Sequence, residues 1–280
     1  MVAPVSLATA ILPVPTDYHA GSTAKWLFTL WAGGFALLVL PYCLYRIGRY
    51  RDPIALLAWV GGFIVSLGEP MLDTLGHLWW PTNLPGPAFT AFHLDVPLLI
   101  PPCYVFFVAM TGYFAYRMFL RGLTVGGVFL VWGAIACTDL LLEFPGVLAD
   151  VYRYYGTQPF YFGNFPLHWA WLNGTGMLCV GFVLWLVVPR LHGWQLGLVV
   201  LAPTVGFLGS YGITAWPAFL ALNADVSKPV MHAIDLLSLA MCLLVVWAIA
   251  NVVAQRSGAP SSVGESGAAG PADALVGSGR

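Results

Sequence analysis

Seven stretches of this chain are each long and apolar enough to cross a membrane, and no other feature restricts its fold as much. A helix crossing about 30 Å of hydrocarbon needs roughly 20 apolar residues. Runs of that kind cover 26–45, 54–80, 96–119, 123–143, 166–188, 196–222 and 230–253. Only 8% of the 280 residues are charged and 59% are hydrophobic, far more apolar matter than one water-soluble core requires. The expected fold is an all-α polytopic membrane protein, a seven-transmembrane-helix bundle over 24–255. A short extracytoplasmic segment, 1–23, precedes it. A Gly/Ala/Ser/Pro-rich tail, 256–280, follows and reads as disordered. Residues 1–23 have neither a basic start nor a long apolar run, so the first helix is expected to do the targeting itself.

Basic residues in short loops are retained on the cytoplasmic side. Arg46, Arg49, Arg51, Arg117, Arg121, Arg190, Arg256 and Arg280 fall in one set of alternate loops, and only Lys25, Arg153 and Lys228 in the other. The N-terminus is therefore expected outside and the C-terminus in the cytoplasm, in a bacterial plasma membrane. With a net charge of −1 and scattered basic residues, nothing in the chain tracks a phosphate backbone, so nucleic acid is not an expected partner. Cys43, Cys103, Cys137, Cys179 and Cys242 stand singly in apolar segments and read as packing residues.

An ionisable side chain in hydrocarbon is costly, by about 2.5–3.5 kcal/mol even on insertion scales, and marks a functional position by default. Glu69, Asp73 and His77 recur at i, i+4 and i+8 in the second run and are expected on one helix face. Asp139 and Glu143 repeat the spacing in the fourth. His168 and Asn173 stand in the fifth, His232 and Asp235 in the seventh. In the expected orientation these groups share the outer half of the bundle, which suggests one pocket. Tryptophans and tyrosines crowd the same level. Most of these aromatics suit an interfacial belt, while Trp169, Trp171 and Trp216 lie inside helices and, with Tyr211, are the better pocket residues. Pro70 is expected to bend the second helix beside the site.

A neutral carboxylic acid in a dry setting is a proton donor, and aromatic faces attract cations. Such a site can protonate an alkene or epoxide and guide the carbocation that forms, a chemistry suited to an isoprenoid dissolved in the membrane lipid. The competing reading of the acids is a structural network satisfied by shared protons and hydrogen bonds.

Seven helices with a glutamate in the second and an aspartate in the seventh resemble the membrane-integral terpene cyclases of fungal meroterpenoid and indole-diterpene pathways and their actinobacterial relatives. The resemblance implies that Glu69 and Asp235 protonate the end of a prenyl chain. It extends to these two acids and the topology. A second likeness, over Glu143, Tyr152-Arg153-Tyr154 and Pro166-Leu167-His168-Trp169, is to bacterial carotenoid hydratases. The expected function is thus an intramembrane terpene cyclase. Glu69, Asp73 and Asp235 supply acid, and His77, Asp139, Glu143 and His232 orient or exchange protons. Trp169, Trp171, Trp216, His168, Asn173 and Tyr211 contact substrate. No cofactor is expected.

Two alternatives stay open. Glu69, Asp73, Asp139 and Glu143 offer oxygen ligands for Mg²⁺ and a prenyl diphosphate, as in intramembrane prenyltransferases, although no Lys or Arg shares their layer. Rows of acids also suit a proton-coupled carrier. A retinal photoreceptor is excluded because Lys228 precedes the last apolar run and no lysine lies inside it. A diiron site lacks clustered histidines.

Overall fold

The computed structural model describes residues 14–256 and Gly258. The expected tail lies almost wholly outside the described residues, as does the first half of the N-terminal segment. Among the described residues, six helices are long and apolar enough to cross a membrane: Ser22–Tyr50, Ile54–Gly76, Val125–Leu148, His168–Arg190, Gly193–Thr214 and Lys228–Arg256. They form a largely helical bundle in which six of the seven expected runs contain such a helix, with shifted ends, and the third does not.

The third expected run is helical over 100–119 but not uniform. It opens as Ile100–Cys103, widens into a π-helical stretch at Tyr104–Met110 and continues as Thr111–Phe119. Pro101 and Pro102 occupy its first turn, where their missing N–H groups leave no bond unmade. The expected 196–222 run divides into Gly193–Thr214 and a separate short helix, Trp216–Leu222, whose second residue is Pro217. The second run also stops early, at Gly76, because His77 takes a left-handed conformation with φ 57° and closes the helix onto Asp73 O.

The helix His168–Arg190 is the centre of the bundle. It packs against 100–119, Val125–Leu148, Gly193–Thr214 and Lys228–Arg256. Apolar solvent gives no drive between helices in lipid, so close backbone approach through small residues does much of this work. A Cβ on Gly206 would stand 2.5 Å from Val180 Cα, and one on Gly62 would stand 2.5 Å from Val105 Cα. Both contacts exist only because those positions are glycine. Ser22–Tyr50 is peripheral and touches mainly the second and third helices.

Contacts mark two ends of the bundle. At one, Asp52 binds Arg46 and lies 3.7 Å from Arg117. At the other, Lys25 reaches Asn83 O, Tyr18 donates to Trp79 O, and Arg153 stacks over Tyr18 at 4.1 Å. Three short antiparallel pairings interrupt the helical pattern: Leu78–Trp79 with Arg153–Tyr154, Phe89–Ala91 with Leu94–Val96, and Tyr161–Phe162 with Phe165–Pro166. The first ties the two long loops together and caps the bundle at the Lys25 end. Cys43 and Cys242 are buried as packing residues, whereas Cys137 is exposed.

Candidate functional site

Glu69 owes its position to the break that Pro70 imposes. Residues Ser66–Gly68 tighten into a 3₁₀ turn, and a new helix starts at Glu69 with Pro70 in its first turn. This reorientation directs Glu69 and Asp73 into a cavity of about 900 Å³ of atom-free space, counted to its open side. Glu143, one turn past Asp139, faces the same space from Val125–Leu148. No lysine, arginine or histidine is among the described residues that line it.

Each of the three carboxyl groups is held by an aromatic donor. Tyr104 donates to Glu69, Trp80 Nε1 donates to Asp73 Oδ2 at 2.8 Å, and Tyr152 donates to Glu143. Tyr104 lies in the widened π-helical stretch, and such stretches often occur where a side chain must be aimed. Burial pushes the Tyr152 phenol well above its ordinary pKa, and Glu143 beside it adds to the rise, so Tyr152 remains a donor. Tyr154 is shifted the same way for the same reasons.

The remaining wall is apolar and aromatic. Trp169 stacks on Tyr154 with ring centres 5.8 Å apart and lies 6.0 Å from Tyr211. Phe28 and Trp31, on the peripheral first helix, form the side toward the bundle's outer surface. Cys103 also reaches the cavity.

The structure brings together Glu69, Asp73, Glu143, Trp169, Asn173 and Tyr211 from the set expected on sequence grounds. Asp139 does not line the cavity. It accepts from Asn173 Nδ2 at 2.9 Å, and Tyr211 donates to Asn173 Oδ1, so Asp139 meets the cavity through a chain of three buried groups on three helices. The i+8 stacking of His77 fails because the helix has already ended. His77 instead bonds Asn223 at 3.2 Å and stacks on Tyr155. Burial lowers its pKa, with the Asn223 bond acting in the opposite sense.

His168 and Asp235 form a separate buried pair. His168 Nδ1 is 3.7 Å from Asp235 Oδ2, longer than a hydrogen bond, and neither side chain lines the cavity. The Glu69/Asp235 combination implied by the resemblance is therefore not a shared wall. His232 accepts from Phe160 N at 3.2 Å outside the cavity. Trp171 packs near Phe160, and Trp216 is 52% exposed, so neither tryptophan reaches the site. Phe219, one turn after Trp216, is the residue of that short helix that touches Trp169. Sequence reasoning passed over Tyr104, and it counted Trp80, Tyr152 and Tyr154 among the aromatics of an interfacial belt rather than as site residues. Those three sit in loops at that level, which hid their contact with the acids.

No group of three His, Cys, Asp or Glu side chains among the described residues converges closely enough to hold a metal ion. The four acids considered for Mg²⁺ are accordingly spread between the cavity wall and the Asn173 chain.

Comparison with protein families, with curated proteins and with solved structures gives no match.

Proposed function

We propose that this chain is an intramembrane enzyme that cyclises an isoprenoid by donating a proton from Glu69, assisted by Asp73, to a terminal alkene or epoxide. The observation that carries the reading is the pairing of three carboxyl groups with aromatic walls in a cavity that no basic side chain among the described residues lines. An apolar, aromatic-walled cavity with a few convergent polar groups suits a lipid-borne substrate. No Lys, Arg or His among the described lining residues neutralises its acids, and its rings offer faces to a positive charge.

The steps balance without a co-reactant. The Glu69 O–H bond breaks as a C–H bond forms at the less substituted CH carbon of a trisubstituted terminal alkene, leaving a tertiary cation on the dimethyl carbon. Electrons of a neighbouring double bond then close a ring. Tyr104, already donating to Glu69, stabilises the carboxylate left behind. Trp169, Tyr211 and Tyr154 lie against the travelling charge. Glu143, held by Tyr152, takes a proton from the carbon next to the final cation and forms the product alkene. The second acid is placed at Asp73 rather than Asp235, because Asp73 faces the cavity and Asp235 does not.

The finer topology belongs to the same proposal. Residues 100–119 are the third of seven spans, the Lys25 end with its acid cavity is extracytoplasmic, and the arginine-rich end is cytoplasmic, in a bacterial plasma membrane. Substrate reaches the cavity from lipid past Phe28 and Trp31.

The test incubates membranes containing the protein with prenyl substrates, with and without EDTA. Metal-independent conversion is expected, falling by about 10²-fold or more in Glu69→Gln, the usual worth of a general acid. Conversion abolished by EDTA supports the Mg²⁺ alternative. No conversion, with proton flux in liposomes, supports the carrier.

A further inference from the structure

We infer that Trp80 sets the product class by sealing the acid cavity from the outer water. The inference rests on the proposed reading of that cavity as a carbocation chamber. A second recess of about 690 Å³ lies under the loop that follows His77. Its rim is polar and open to solvent: Thr82, His93 and Asp95 line it and are all exposed. Among the described residues lining the two spaces, Trp80 alone is common to both.

The indole is a fixed partition. It is 7% exposed, its ring centre is 4.9 Å from that of Tyr152, and its Nε1 donates to Asp73 at 2.8 Å. Tyr152 in turn holds Glu143. One flat side chain thus stands between a hydrated recess and two of the three acids, and it is anchored to both of them directly or through one neighbour.

The chemical consequence follows from what ends a carbocation. In a dry cavity the cation loses a proton from an adjacent carbon to the Glu143 carboxylate, and the product is an isomer of the substrate. If water enters, its oxygen forms a bond to the cationic carbon and then releases one proton to the same carboxylate. The product is a tertiary alcohol, the substrate plus one water. Both routes leave Glu69 ionised and one proton on Glu143, and exchange with solvent between turnovers resets the two groups alike, so the partition alone selects between cyclisation to an alkene and hydration.

The test uses the full-length protein in lipid nanodiscs, treated with a water-soluble carbodiimide and glycine amide, with each carboxyl group read by peptide mass spectrometry. Asp95, exposed in the recess, is expected to react in every variant. Asp73 is expected to react at least tenfold more in Trp80→Ala than in the native protein. Trp80→Phe, which keeps a ring but loses the N–H, stays near native and separates the seal from the hydrogen bond. Asp139 and Asp235, both fully buried, stay unreacted where the fold is intact. If Asp139 reacts in Trp80→Ala, that variant has opened generally, and Trp80→Leu carries the same comparison. Equal labelling of Asp73 in native protein and in a folded, ring-less variant overturns the seal. In parallel, the alcohol fraction of the product is expected to rise at least tenfold in the same variant, and an unchanged fraction overturns the assignment of product control. Absence of any conversion by the native protein overturns the reading of the cavity, and the labelling still decides whether Trp80 is the partition.

Discussion

Asn173→Leu separates the structural acid from the chemical ones. Asn173 holds Asp139 at 2.9 Å and receives the Tyr211 hydroxyl, joining Val125–Leu148, His168–Arg190 and Gly193–Thr214 through one amide. Leucine fills a similar volume and removes both bonds. Interhelical hydrogen bonds in membranes average about 0.6 kcal/mol each, which gives a floor of about 1 kcal/mol for the pair. Two buried polar groups stripped of partners, at about 1–3 kcal/mol each, give a ceiling of about 6. Asp139 decides between these limits. It is fully buried, and its Oδ2 has no partner even in the native protein, so no second donor takes over when Asn173 leaves. A loss of about 3 kcal/mol is expected in reversible denaturant unfolding of the micelle-embedded protein. The triple variant Asp139→Leu, Asn173→Leu, Tyr211→Phe removes every orphaned group and is expected to recover at least half of that loss. A single variant within about 0.5 kcal/mol of native, or a triple variant less stable than the single, refutes the network as a stability element.

Three further outcomes follow from particular contacts. A Cβ at Gly76 would lie 2.2 Å from Trp169 Cζ2, so Gly76→Ala is expected to destabilise by about 1–3 kcal/mol, as overpacking does, with relief in the Gly76→Ala, Trp169→Leu double variant; additivity in the cycle contradicts the clash. His77 is held neutral by burial, so the unfolded chain takes up its proton first as pH falls below the ordinary histidine value of about 6.5; that stability is present above this pH and lost below it. The thermal midpoint of the native protein is therefore expected to drop more between pH 8 and pH 5.5 than that of His77→Asn, and parallel slopes would count against it. Trp216→Ala, at an exposed position away from the cavity, is expected to leave substrate conversion within about twofold of native, whereas Trp169→Ala lowers it by tenfold or more.

Most of the helical frame was legible because the bilayer makes one demand of every span, namely length and apolar content, and that demand shows directly in sequence. Local geometry was not legible in the same way. The widened turn at Tyr104–Met110 and the left-handed stop at His77 depend on neighbours, and each changed the site: one aimed Tyr104 at Glu69, the other removed His77 from it. The i, i+4 rule placed Glu69 with Asp73 correctly because Pro70 starts a fresh helix that carries both. The same rule misled for Asp139 and Glu143. They share a helix, but a turn of offset leaves Asp139 facing Asn173 while Glu143 faces the cavity. Asp235 shows the remaining limit. An acid inside an apolar run marks a buried polar position, yet whether it faces a substrate cavity or, as here, lies 3.7 Å from His168 depends on how distant helices meet.

The most direct test of acid initiation is the destination of the first proton. Native protein is incubated in D₂O with a prenyl substrate that ends in an alkene rather than an epoxide, and the product is examined by mass spectrometry and NMR. Donation from Glu69, whose proton exchanges with solvent between turnovers, predicts one deuterium carbon-bound at the former alkene CH, now a CHD of the product ring, and no label when Glu69→Gln abolishes turnover. A cyclic product without carbon-bound deuterium, formed as diphosphate is released, would contradict protonation as the initiating step.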